Sequence, residues 1–212
     1  MADFAQKLQI SRGVTAIIGG GGKTTLMYRL AEELQQQGSV IVTTSTHIWR
    51  PVHLPVVQRV GRVVGLVCVG APCTNGKLAA PSQSFEELAA LADYVLVEAD
   101  GSAGRPLKAH AAHEPVIPAN AGQVIAVVGA SGLDQPIAQA VHRPAIFTQL
   151  SGAEETASPE AVALVLQREA LHARVLINQA DTPERIRLAK ALAAQIPEPV
   201  VIAALQKGEI IC

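Results

Sequence analysis

The stretch "TAIIGGGGKTTLMYRL", Thr15 to Leu30, sets four glycines between an apolar run and a lysine followed by two threonines. An apolar strand, a glycine turn and a helix-like segment in that order form the context of a phosphate-binding loop. The strict spacing asks for one more glycine, at the position held by Ile17. "GGGGKTT" (Gly19 to Thr25) instead fits a related form in which two glycines, a variable residue and Gly-Lys-Thr follow one another. A second lysine often stands in that form where this chain has Ile18, so a catalytic lysine lent by another subunit is not expected. The alternative is a glycine-rich turn with no ligand.

If the loop binds phosphate, its chemistry follows from the backbone. The amides of Gly20, Gly21, Gly22 and Lys23, with the helix N-terminus behind them, make a donor-lined cavity for phosphate oxygens. Gly19, Gly20, Gly21, Gly22, Lys23, Thr24 and Thr25 are therefore candidate nucleotide-binding residues. Lys23 would reach the β- and γ-phosphates, and the Thr24 hydroxyl would ligate Mg²⁺.

Such a site needs an acid at the end of a neighbouring strand. "YVLVEADG" (Tyr94 to Gly101) supplies Glu98 and Asp100. One is expected to act on Mg²⁺, directly or through water, and the other to orient the attacking water. "VTTSTHIW" (Val42 to Trp49) ends a second strand in hydroxyls. Thr46 is the candidate contact to Mg²⁺ or the γ-phosphate, and His47 is a candidate general base, acceptor contact or capping group. "INQAD" (Ile177 to Asp181) resembles the guanine-reading element Asn-Lys-x-Asp, with Gln179 in place of the lysine. There Asn178 would brace the loop and Asp181 would meet the base, unless Asp181 only opens the helix at Thr182-Pro183. ATP and GTP both stay open.

"GSAGRPLKAHAAHEPVIP" (Gly101 to Pro118) is polar for a link between strands. Arg105, Lys108, His110, His113 and Glu114 are read either as a cradle for an anionic substrate or cofactor or as a solvated loop.

Composition bounds these readings. Of 212 residues, 49% are hydrophobic, 17% charged and only 3% aromatic, so a core of Val, Ile, Leu and Ala is expected. That palette suits parallel strands covered on both faces. With 17 basic and 18 acidic residues and a net charge of −1, no nucleic-acid surface stands out. Cys68, Cys73 and Cys212 are too few for a disulfide framework, and Cys68 reads as a small buried thiol. "MADFAQKLQI" lacks the pattern of a signal peptide, and no apolar run is long enough to span a membrane. A cytoplasmic protein is expected.

Along the chain, β-branched runs alternate with helical patterns, as in βαβ units. Strands are expected at Val14 to Ile18, Ser39 to Thr44, Tyr94 to Asp100, Gln123 to Ala130, Arg174 to Asp181 and Pro199 to Leu205. Helices are expected from Lys23 to about Gln37, from the Ser84–Glu87 capping box to about Ala92, from Ser158-Pro159 to about Leu171, and after Thr182-Pro183. Residues 45–82, with four prolines, read as an irregular excursion holding one or two strands or a hairpin. The fold class is α/β: a single P-loop NTPase-like domain over 1–212, a three-layer sandwich with a mostly parallel sheet.

Taken together, "IIGGGGKTTLMYRLAEEL", "VIVTTSTHI", "VLVEADGSAGRPLKAHAAHEPVIP" and the "INQAD" strand resemble the YqeC family, over about Gly13 to Ala204. The family's Asn-Lys-x-Asp is departed from at Gln179. The resemblance implies a P-loop protein associated with maturation of selenium-dependent molybdenum hydroxylases. It carries functional roles to Lys23, Thr24, Glu98, Asp100 and Lys108. The reading is a Mg²⁺-dependent ATPase or GTPase that couples hydrolysis to cofactor maturation, partnered by a molybdenum hydroxylase or a cofactor-maturation protein. A homodimer is a guess from related P-loop classes. A small-molecule kinase holding its acceptor in the Arg105 to Glu114 loop, and a nucleotide-gated delivery protein with negligible hydrolysis, are the alternatives.

Overall fold

The computed structural model describes residues 3–212. Its sheet is carried by β1 (Gly13–Gly19), β2 (Val40–Thr44), β3 (Leu66–Val69), β4 (Tyr94–Glu98), β5 (Ala121–Gly129), β6 (Arg174–Asn178) and β7 (Val200–Ala204). These lie in the order β7-β6-β5-β1-β4-β2-β3, all parallel. Val56–Val57 adds a parallel strand beside β3 and Glu209–Ile210 an antiparallel one beside β7, making nine strands in all. All five residues of β2 and of β4 are buried, as a sheet covered on both faces requires.

The helices are α1 (Phe4–Lys7), α2 (Lys23–Leu34), α3 (Phe85–Leu91), α4 (Ile137–Ala140), α5 (Pro144–Ser151), α6 (Pro159–Glu169) and α7 (Pro183–Ala193). Successive side chains of a strand face opposite ways. Ile17 accordingly packs with Leu26, Met27 and Leu30 of α2, while Ile18 packs with Phe147 of α5 and Val162 of α6. Val95 and Val97 of β4 meet Leu88 of α3. The result is the expected α/β three-layer sandwich with a mostly parallel sheet. Among the described residues no helix is long and apolar enough to cross a membrane.

Local signals place the helix ends. The Ser84–Glu87 capping box forms, and Ser158 and Thr182 accept from the amides of Ala161 and Arg185. Helix α2 stops at Leu34, short of the expected Gln37, because Gln35 to Gln37 curl back and the Gly38 amide closes on the Leu34 carbonyl. The excursion is more ordered than a hairpin. Its apolar run becomes β3, and His47–Trp49, Ala71–Pro72 and Lys77–Ala79 form a separate antiparallel sheet. Helices α4 and α5 were not anticipated, although Pro144 at the first position of α5 and Gly152 just past its end are ordinary helix punctuation.

Parallel strands bring their carboxyl ends to one edge. Ile17 of β1 and Thr44 of β2 both sit opposite Glu98 of β4, and Gly129 of β5 sits opposite Asn178 of β6. The chain leaves β1 toward β2 on one side, while β5 lies on the other. Ligands of open α/β sheets collect at such a reversal.

Candidate functional site

The glycine loop leaves β1 in a course that side chains would block. Gly19 has φ +96° and a Cβ there would lie 2.3 Å from the Val127 carbonyl oxygen. Gly21 has φ +78° and a Cβ would lie 2.4 Å from Gly129 Cα. The loop is thus pressed against the end of β5, and this packing spends some of its donors. The Gly19 amide donates to Asp100 Oδ2 (2.9 Å), that of Gly20 to the Val127 carbonyl (2.9 Å) and that of Gly21 to the Arg105 carbonyl (3.3 Å). Two of the amides expected to face a phosphate, those of Gly20 and Gly21, are therefore already engaged. The amides left over are those of Gly22, Lys23, Thr24 and Thr25, which open α2 and have no carbonyl within the helix to meet.

Lys23 is buried. Its Nζ donates to the Gly19 carbonyl (2.7 Å), stands 3.2 Å from Asp100 Oδ1 and 4.0 Å from Glu98 Oε1. Thr24 Oγ1 donates to Glu98 Oε2 at 2.6 Å. The two carboxylates expected to work together occupy different surroundings. Glu98 reaches the cavity beside the loop, whereas Asp100 is fully enclosed. Burial raises the Glu98 carboxyl above its ordinary range, with Asp100 adding to the effect against Lys23 and the Thr24 hydrogen bond. Burial pushes Asp100 the same way, but the His110 hydrogen bond, Lys23, Lys108 and the Gly19 amide outweigh it and hold its carboxyl low.

The segment after β4 turns inward. Lys108 Nζ lies 3.2 Å from Asp100 Oδ2 and 2.9 Å from Glu114 Oε2, and donates to the Gly101 carbonyl (2.5 Å). His110 Nε2 sits 2.7 Å from Asp100 Oδ2, and its Nδ1 sits 2.7 Å from Glu169 Oε2 at the end of α6. The His110 amide donates to the other Glu169 oxygen. Burial disfavours charge on His110, but hydrogen bonds to the two carboxylates outweigh it and raise its pKa. Both ring nitrogens face carboxylates, so the imidazolium satisfies them both. Glu114 is held by Arg143 as well as Lys108; against burial these pull its pKa to about 2. Lys108, expected at the cofactor, instead supports Asp100 from behind. The cradle envisaged around Arg105 to Glu114 divides: Lys108, His110 and Glu114 form a buried charge cluster, His113 is exposed, and Arg105 lines the cavity together with Gly101 to Gly104.

The ends of β2 and β6 divide similarly. Thr44 Oγ1 donates to the Glu98 carbonyl and accepts from the Thr46 amide, which leaves Thr46 turned on Thr44 and outside the cavity lining; His47 lines it. Asn178 braces the loop, donating to the Gly21 carbonyl (2.8 Å) and accepting from the Leu205 amide (3.0 Å). Asp181 is half-exposed, and Arg185 one helical turn on holds its Oδ1 at 2.7 Å.

Two cavities meet at the loop. One, of about 470 Å³, is lined by Lys23, Thr24, Glu98, His47, Trp49 and Lys77. The other, of about 360 Å³, is lined by Thr25, Ser131, Asn178, Asp181, Arg185 and Lys207. Gly22, Thr25 and Gln179 line both. Ser131, Trp49, Lys77, Arg143 and Glu169 carried no sequence signal of a role here.

Fold and loop together define an α/β protein of P-loop-like architecture. Comparison sharpens this. The family model described as "YqeC protein" matches residues 15–145, from β1 to just past Arg143. "Uncharacterized protein YqeC" of Escherichia coli (strain K12) is 38% identical over 159 residues, covering 66% of this chain and 60% of that protein. The chain belongs to the YqeC family.

Proposed function

We propose that the protein binds a Mg²⁺–nucleoside triphosphate at the glycine loop and hydrolyses it. The observation that carries this reading is the convergence of Lys23, the free amides of Gly22 to Thr25 and the Thr24–Glu98 pair on one cavity of about 470 Å³. The amides and the start of a 12-residue helix favour an anion there. Lys23 adds the charge that stabilises a transferring phosphoryl group.

Among the described residues no three His, Cys, Asp or Glu side chains gather into a metal cage. Mg²⁺ is usually held by one or two protein oxygens and completed by phosphate and water. The Thr24 hydroxyl and the Glu98 carboxylate, both hard oxygen donors, fit that demand. The ion would neutralise phosphate charge. Glu98 is the carboxylate that reaches the cavity, so it takes the metal and water roles first shared with Asp100. Asp100 positions Lys23 and the loop. His47 is retained as the side chain nearest in kind to a general base on the cavity wall.

The base would occupy the cavity of about 360 Å³ beyond Gly22. Because Arg185 already engages Asp181, a guanine-reading aspartate is only half available, and ATP and GTP are both to be tested. The pathway, maturation of a selenium-dependent molybdenum hydroxylase, rests on family resemblance alone. The test is titration calorimetry with Mg–ATP and Mg–GTP, followed by phosphate release. Wild type should bind one of them and Lys23→Ala at least tenfold more weakly. Equal binding and equal turnover by both would overturn the reading.

A further inference from the structure

A third cavity, of about 320 Å³, abuts the first and shares Thr24 and Trp49 with it. One wall is a face of α2, where Thr24, Tyr28 and Glu32 recur at intervals of four residues. The other is the stretch Trp49 to Leu54, stiffened by Pro51. We propose that this cavity binds a small aromatic or apolar organic anion beside the phosphate end of the nucleotide, as a second ligand. The identity of the neighbour rests on the nucleotide reading; the site itself does not.

Three observations fix the chemistry. First, among the described residues four large hydrophobic side chains are exposed, and two of them, Trp49 (64%) and Val52 (89%), stand at this cavity. Exposed apolar surface concentrated at a concavity marks a place where a ligand is buried. Second, the cations nearby are uncommitted. Among the described residues Arg50 pairs with no carboxylate, Lys77 lies over the Trp49 ring at 4.9 Å, and His53 lines the same wall. The one acid, Glu32, is drawn toward Arg29 at 3.8 Å. An aromatic ring on Trp49 with an anionic group near Arg50 satisfies both surfaces. Third, most of the other segment able to hold a second ligand is committed elsewhere, since Lys108, His110 and Glu114 are consumed by Asp100, Glu169 and Arg143, and only Arg105 faces the first cavity. Thr24 then lies where a ligand's polar end meets the loop.

The chain contains a single tryptophan, Trp49, so energy transfer from tryptophan to a bound probe reports on this wall. Anilinonaphthalene sulfonate, a fluorescent aromatic anion, is the probe. Wild type should show saturable transfer, weakened at least fivefold in Val52→Asp and in Arg50→Ala, both with unchanged circular dichroism. Lys23→Ala should leave it intact, and Mg–ATP or Mg–GTP should not displace the probe. Absence of saturable transfer, or equal affinity in both variants, would overturn the proposal. Competitive displacement by a triphosphate would also overturn it, by making the cavity the nucleotide's own base pocket while leaving nucleotide binding in force. Probe binding with no nucleotide binding would keep this site and remove the other reading.

Discussion

The two sides of the loop cavity are built by opposite means. Behind Lys23, Asp100 is enclosed by Lys23, Lys108, His110 and the Gly19 amide, and two of these partners, Lys108 and His110, are each tied again to a second carboxylate. Facing it, Trp49 closes a three-residue strand whose two outer residues are exposed, and the Lys77 ammonium lies over its ring. One side holds charge in fixed geometry, where low dielectric makes each partner indispensable. The other offers apolar surface and free cations, which a ligand can complete. Preorganisation and vacancy for contact are thus separated across a single cavity.

The comparison breaks most easily at Asp100. Asp100→Asn leaves buried cations without their anion, and removing one partner of a buried pair costs about 3–5 kcal/mol. Urea denaturation should show a loss of that order; a loss below about 1 kcal/mol would mean the cluster does not hold the fold. Next is Gly21→Ala. A positive φ costs about 1–2 kcal/mol for a residue with a side chain. The 2.4 Å approach to Gly129 adds overpacking, so a total of about 2–3 kcal/mol is expected in the same measurement, with nucleotide binding lost.

Titration sharpens the contrast further. The folded pKa of His110 is raised above 6.5, so its stabilising effect is complete below that value and disappears as pH rises through the folded pKa. The advantage of wild type over His110→Gln should therefore shrink with rising pH. Glu114 runs the other way. Its pKa is lowered from 4.5 to about 2, so its contribution is present above 4.5 and lost as pH falls toward 2. Opposite slopes for His110→Gln and Glu114→Gln, read from thermal melts across pH, would support two ionised partners in one cluster; parallel slopes would not. The smallest effect belongs to the open wall. Val52 is almost wholly exposed, and Val52→Ser should shift stability by no more than about 0.5 kcal/mol.

Much of the fold was legible because it rests on local signals. The β-branched runs, the capping box at Ser84 and the serine and threonine caps ahead of Pro159 and Pro183 act over a few residues, and each appears where its chemistry places it. Lys23, Thr24 and Glu98 were also legible, since a parallel sheet must bring strand ends together. The roles of Lys108, His110 and Glu114 were not. Their direction is set by Glu169, at the end of α6, and Arg143, just ahead of α5, both distant in the chain and in segments whose own patterns say nothing of the loop. The same polar sequence suits a ligand cradle or a buried ion cluster, and only long-range partners choose between them. That two of the loop's expected donors are already engaged was hidden for a related reason. Gly20 and Gly21 spend their amides on Val127 and Arg105, which no local pattern foretells.

The bond from the Gly19 amide to Asp100 closes 81 residues of chain, and that from His110 to Glu169 closes another 59. Loop closures of that span carry an entropy cost that is met only once much of the chain is in place. The shape of the loop thus depends on contacts drawn from distant parts of the chain. Hydrogen exchange at Gly19 should report opening of the entire protein rather than fraying of a turn.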